Sequence, residues 1–111
     1  MNIHKKIPTV VIHRGDKSYL KYNLEITTKT NEVVLIGDTE LFKYSKLFKN
    51  VHFIDIKKYE TDETIVTNKK FFKNYSTNDA LFEWRCFERV FIIQKFLEEY
   101  KFSKVFHIDS D

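Results

Sequence analysis

Three short, almost unbroken apolar runs constrain this chain more than any other feature: Thr9-Val10-Val11-Ile12-His13, Glu32-Val33-Val34-Leu35-Ile36 and Val51-His52-Phe53-Ile54-Asp55-Ile56. A strand with one wet face alternates apolar and polar residues, whereas a continuous β-branched run suits a strand covered on both faces. The stretches between the runs carry helical patterns. After the turn Arg14-Gly15-Asp16, where Asp16 or Ser18 can act as a cap, Leu20, Leu24 and Thr27, flanked by Tyr19 and Ile26, give a helix to about Lys29 one apolar face. After Gly37-Asp38, Thr39 is placed to cap a shorter helix carrying Leu41, Phe42, Tyr44, Leu47 and Phe48, which Asn50 ends. Strand–helix–strand–helix–strand with such short connections predicts parallel strands joined by right-handed crossovers. The expected class is α/β, a Rossmann-like, mostly parallel sheet with flanking helices. The chain has two glycines in all, so the Gly-x-Gly-x-x-Gly fingerprint of dinucleotide binding is missing and an NAD-type site is disfavoured.

The second half opens with a polar stretch, residues 57–77, which reads as an irregular loop around Thr61-Asp62-Glu63-Thr64, with Phe71, Phe72 and Tyr75 as its anchors. Ser76-Thr77-Asn78-Asp79 then forms a capping cluster for one long helix, about Asn78 to Lys101. At 100° per residue, Phe82, Cys86, Val90, Ile93, Phe96, Leu97 and Tyr100 fall on one face, the expected sheet side, with Trp84 away from it. Lys104 to Ile108 reads as a fourth buried strand, with His107 a packed core histidine, and Asp109-Ser110-Asp111 follows.

Two carboxylates one residue apart, at the end of a buried strand, are held on a rigid mount where open α/β sheets bind ligands. Hard oxygen donors of this kind suit Mg²⁺ or Mn²⁺. Arg85 and Arg89 lie at the edge of, and within, the apolar stripe of the long helix. An arginine directed into a core needs an anion, and a forked guanidinium matches phosphate or carboxylate. Two outcomes follow. The pair meets a bound diphosphate, or it forms internal salt bridges, for example to Asp55, Asp109 or Glu88.

The net charge of +3 is lysine-rich, and residues 1–58 hold 11 basic and 6 acidic side chains. Arginine-poor lysines without an interleaved aromatic stripe read as a solvated face, so no nucleic-acid partner is expected. The single cysteine, Cys86, cannot close an intramolecular disulfide, and no signal-like or membrane-length apolar run occurs. These features point to a cytoplasmic protein with no membrane segment.

The βαβαβ order, the segment Phe82-Glu83-Trp84-Arg85-Cys86-Phe87-Glu88-Arg89-Val90-Phe91-Ile92-Ile93 and the following Val105-Phe106-His107-Ile108-Asp109-Ser110-Asp111 together resemble the front half of a GT-A glycosyltransferase. The resemblance covers nearly the whole chain in layout, but residue-specific likeness is confined to the last third. It implies that residues 1–111 are the donor-binding part of such a domain, cut after the Asp-x-Asp motif. It implies transfer of a sugar from a nucleoside diphosphate sugar, a UDP-sugar first, to an acceptor hydroxyl, with Mn²⁺ or Mg²⁺ as cofactor. Asp111 would ligate the metal, and Asp109 would touch the ribose or a metal-bound water. His13, Arg14 and Gly15 would line the nucleoside pocket, Asp38 would read the base, and Arg85 or Arg89 would contact the donor. The catalytic base would lie beyond Asp111. His13 also reads as a plain strand-end residue, and Asp38 as a turn former or an aid to Thr39 in capping. Two alternatives stand beside the enzyme: a non-catalytic nucleotide-binding or protein-interaction remnant of the same fold, and, less well matched, a phosphotransferase of the haloacid dehalogenase type, whose Asp-x-Asp opens its fold rather than closing it.

Overall fold

The structure is a computed structural model that describes Ile3, residues 7–72 and residues 80–108. Four strands form one parallel sheet: β1 (Thr9–His13), β2 (Val33–Gly37), β3 (Val51–Asp55) and β4 (Phe106–His107), in the order β3-β2-β1-β4. The expected Rossmann-like α/β arrangement is what the chain adopts. Every residue of β1 and β2 is buried, as their unbroken apolar runs require. The chain divides into two compact units, residues 1–57 with 102–111, and residues 58–101.

In the first unit α1 (Ser18–Thr27) links β1 to β2, and a 3₁₀ turn (Thr39–Phe42) followed by α2 (Lys43–Leu47) links β2 to β3. Consecutive right-handed crossovers that step the same way put their helices on one face of a sheet. One core accordingly joins Val11, Val33, Leu35 and Val51 of the sheet to Leu20 and Leu24 of α1 and to Leu41 and Tyr44, with Phe48 and Phe53 packed against it. The opposite sheet face, Val10, Ile12, Val34, Ile36 and Ile54, is buried too. Within α1 the predicted face narrows to Leu20 and Leu24, because Tyr19 and Ile26 are exposed.

The capping assignments differ from expectation. Asp16 does not cap α1; it hydrogen-bonds to Lys43 and Tyr44. Thr39 does not cap its helix, since its hydroxyl donates to Asp55 at 2.6 Å. In both cases a partner distant in sequence outcompetes the local backbone.

The second unit corrects the sequence reading most. Residues 57–72 are not a loop but two helices, α3 (Lys57–Glu60), which starts at the border of the units, and α4 (Glu63–Phe71). Asp62 caps α4, accepting from the amides of Thr64 at 3.0 Å and Ile65 at 3.2 Å, so one side chain fixes the start of a helix whose sequence is too polar to announce it. Phe72 anchors as expected, meeting Trp84 and Phe87 ring to ring, whereas Phe71 is 70 % exposed. Tyr75 and the capping cluster at 76–79 lie outside the described residues.

The long helix is α5 (Ala80–Tyr100), about 32 Å in length. It ends at Lys101, whose φ of 59° is the left-handed turn that closes helices. Its buried stripe is Trp84, Glu88, Ile92 and Phe96, while Phe82, Cys86 and Val90 are exposed. The predicted face is therefore wrong over the first half of the helix, and Trp84 is buried. Glu88, one of the expected salt-bridge partners of the arginines, has no place on the expected apolar face, yet it is not exposed to solvent. Instead its carboxylate accepts from Trp84 Nε1 at 3.2 Å and Arg85 Nη1 at 3.1 Å, and paired in that way it is carried inward with the indole.

The fourth strand is shorter and wetter than expected. β4 pairs with only Thr9 and Val10 of β1, Phe106 and His107 are exposed, and His107 is not a core histidine. Among the described residues no strand pairs with the outer side of β4, and this edge position accounts for the exposure of a sequence that reads as buried.

Candidate functional site

A parallel sheet gathers the turns that follow its strands along one edge. Here those turns are His13-Arg14-Gly15-Asp16 after β1, Asp38-Thr39 after β2, and Asp55 at the end of β3. Strand order adds a second constraint. β2 and β3 lie on one side of β1 and β4 on the other, so the order of connection reverses between β1 and β4 although all four strands run parallel. In open α/β sheets the crevice at such a reversal is where ligands bind.

Gly37 lets β1 and β2 close up at this edge. A Cβ placed there would sit 2.6 Å from the His13 carbonyl oxygen and 2.6 Å from Leu41 Cδ1. Gly15 serves differently: its φ of +75° turns the chain back after Arg14, with open space around it. Its amide donates to Asp38 Oδ2 at 2.6 Å, and Arg14 Nη1 lies 4.0 Å from Asp38 Oδ1. One carboxylate thus ties the two loops together. The Asp38 carbonyl accepts from the Leu41 amide at 2.9 Å, but its side chain makes no capping bond to the helix that follows and instead serves the turn after β1.

Two further carboxylates are fixed nearby in the fold. Asp55 accepts from Thr39 Oγ1 at 2.6 Å and from the Lys57 amide at 3.0 Å, and these bonds hold its pKa below the ordinary carboxylate value against a smaller effect of burial. Asp16 is lowered as well, by its bonds to Lys43 and to Tyr44 Oη, the latter at 2.6 Å. Tyr44, buried and facing that carboxylate, is pushed up to about 12. His13, buried at the end of β1, packs its ring edge-on to Tyr19 at 5.7 Å.

Of the predicted residues, the fold brings His13, Arg14, Gly15 and Asp38 together. Arg85 and Arg89 belong to α5 in the other unit. Arg85 is held by Glu88 at 3.1 Å and lies 3.9 Å from Glu60, the internal pairing that was one of its two expected fates; Arg89 is half-buried. Asp109 and Asp111, the expected metal pair, lie outside the described residues. Among the described residues no group of three or more His, Cys, Asp or Glu is arranged to hold a metal ion. Asp16, Thr39 and Asp55 were not read from sequence as parts of this edge. The signal for them was position alone, each standing within a few residues of a strand's carboxyl end.

Chemically the edge combines partly exposed acceptors, Asp38 and Asp55, with one guanidinium, Arg14. Ionised carboxylates in fixed orientation suit hydroxyl and amide donors, and Arg14 suits an anionic group. No described helix is long and apolar enough to cross a membrane. Comparison with known protein families, with characterised proteins and with solved structures finds no match to this chain.

Proposed function

We propose that this chain is the donor-binding part of a metal-dependent glycosyltransferase, taking a nucleoside diphosphate sugar, a UDP-sugar first, at the carboxyl edge of its sheet. The observation that supports this reading is the strand order. It sets β4 beside β1 across the reversal point, and the sequence continues from β4 directly into Asp109-Ser110-Asp111. A nucleoside would lie over the β1 and β2 turns, with its hydroxyl and amide donors directed to Asp38 and Asp55 and its charged end toward Arg14. His13 ends β1 against the Tyr19 ring, and the bond between Gly15 and Asp38 holds the turn that follows before any ligand arrives. Asp109 and Asp111, two hard oxygen donors one residue apart, are a donor set that fits Mn²⁺ or Mg²⁺ and would hold it, and the ion would offset charge on a departing diphosphate.

The second reading is a non-catalytic nucleotide-binding or interaction module. Two observations favour it: Arg85 is already engaged by Glu88, and Asp38 by Gly15, so groups assigned to the donor are occupied within the fold. Calorimetry with UDP, GDP and their sugars, with and without Mn²⁺, separates the two. The donor reading expects metal-dependent binding that Asp111→Asn abolishes and Arg14→Ala weakens. Binding indifferent to both metal and Asp111→Asn supports the module, and the absence of any nucleotide binding defeats both nucleotide readings.

A further inference from the structure

Beside the turn after β1, a depression of about 510 Å³ lies against α1 and α2, lined by Lys21, Lys43, Tyr44, Lys46 and Leu47. Its apolar part is the Tyr44 ring with Leu47, which is 57 % exposed, an aliphatic side chain left to water beside a buried aromatic one. Its rim is three ammonium groups. Lys43 has a carboxylate partner, Asp16. Lys21 and Lys46 form no ion pair among the described residues, and Lys46 instead lies over the Phe42 ring at 5.4 Å. Among the described residues no acidic side chain lines this depression. It gives a local form to the basic excess of the first 58 residues.

We propose that this depression is a docking surface for a short acidic peptide segment of a partner protein, one that carries an aliphatic or aromatic side chain between its carboxylates. The apolar side chain would cover Leu47 and the Tyr44 ring, and flanking carboxylates would meet Lys21 and Lys46. Charge complementarity selects the sign of the partner, and the apolar floor selects its class, because a bare phosphate has nothing to place on Leu47. A long polyanion such as a nucleic acid is disfavoured by the adjoining depression, also bordered by Lys21 and Tyr44, where Asp16 and Glu25 present negative charge. The basic surface is therefore short, the length of a peptide segment rather than of a strand of phosphates. This surface is independent of the sheet-edge reading and stands or falls without it.

The test uses the full chain and fluorescence anisotropy. The probe is a short labelled peptide alternating glutamate with leucine and phenylalanine; the competitors are polyglutamate, inorganic phosphate and a single-stranded oligonucleotide. Lys21→Glu with Lys46→Glu is expected to weaken peptide binding by about a hundredfold, roughly tenfold for each reversed rim charge. Leu47→Ser should weaken it by about tenfold. All these side chains are exposed, so the melting temperature of each variant should match that of the parent. Failure of the peptide to bind, or binding that the double reversal leaves unchanged, overturns the proposal. So does competition by phosphate, polyglutamate or the oligonucleotide as strong as that by unlabelled peptide, since the surface would then read charge alone.

Discussion

Replacing Gly37 by alanine tests the closeness of β1 and β2 directly. The added methyl would lie 2.6 Å from the His13 carbonyl oxygen, a main-chain atom of the strand paired with Gly37, and 2.6 Å from Leu41 Cδ1. Ordinary carbon–oxygen contact needs roughly 3.3 Å, so the neighbours must withdraw by about 0.7 Å. Leu41 is fully buried and has little room to swing, and His13 is fixed by the ladder. Overpacking of this kind costs about 1–3 kcal/mol, while the stiffer unfolded chain of an alanine variant returns about 0.4–1 kcal/mol when the site can take it. The expected net loss is about 1–2 kcal/mol, a fall in melting temperature on the order of 4–10 °C for a chain this size. Urea unfolding followed by far-UV circular dichroism should show a lower midpoint with an unchanged slope. Gly15 supplies the contrast, since it has open space but a φ of +75°. Asparagine tolerates that conformation better than alanine does, so Gly15→Asn should be milder than Gly15→Ala, whereas Gly37→Asn should be worse than Gly37→Ala. If Gly37→Ala changes stability by less than about 0.5 kcal/mol, or both sites rank the two substitutions alike, steric closeness is not what Gly37 provides.

The Tyr59 hydroxyl is buried with no hydrogen-bond partner among the described residues, so Tyr59→Phe should be neutral or stabilise by up to about 2 kcal/mol, and a loss above 1 kcal/mol in urea unfolding would reveal a partner. Burial raises the Tyr59 and Tyr44 pKa values, so above pH 10 the unfolded chain loses these protons first and stability falls as pH rises; Tyr59→Phe should flatten that decline. Asp16 and Asp55 are shifted the other way, so their stabilisation is present above the ordinary carboxylate pKa near 3.8 and is lost as pH falls through their lower folded values. Asp16→Asn should shrink the acid-side loss, and an unchanged acid limb in pH-dependent unfolding counts against the Lys43 and Tyr44 bonds. Glu88→Ala strands the indole N–H of Trp84 and loosens Arg85, a loss of about 1–3 kcal/mol accompanied by a shift in the emission of the chain's one tryptophan; Glu88→Gln should keep the indole bond and most of the stability.

The strands were legible because the runs at Val10, Val34 and Ile54 are apolar on both faces, and only a covered parallel sheet accepts that pattern. The turn residues were legible for the same reason: they begin where the apolar runs stop. What escaped was side-chain pairing across distance. Glu88, expected only as a possible partner of the arginines, is buried with its carboxylate satisfied by Trp84 and Arg85, and the buried stripe of α5 runs through it rather than through Phe82 and Val90. Helix α4 escaped because its stability rests on a cap at Asp62 and a single buried side chain, Ile65, too little for any periodicity to register. Asp16 and Thr39 were misread because each takes a partner at least 16 residues away rather than the amides beside it, and Asp55, bonded both to the distant Thr39 and to the nearby Lys57 amide, was passed over. β4 reads as buried because sequence records hydrophobicity and not which strand stands at an edge.

The same sheet order has a kinetic side. Val33 pairs with Val51, 18 residues on, in a ladder of five residue pairs; Thr9 pairs with Phe106, 97 residues on, in a ladder of two. Closing the longer loop costs about 1.5 kcal/mol more chain entropy, and far fewer hydrogen bonds repay it. β1, β2 and β3 therefore assemble first, and β4 docks last and leaves most readily, opening and closing while the rest of the sheet stays folded. Amide exchange at Phe106 and Ile108, which donate to Pro8 and Val10, should accordingly outrun exchange throughout β2. The strand that precedes the two aspartates is the sheet's least anchored member, so whatever binds beside it draws on a local equilibrium rather than on a fixed wall.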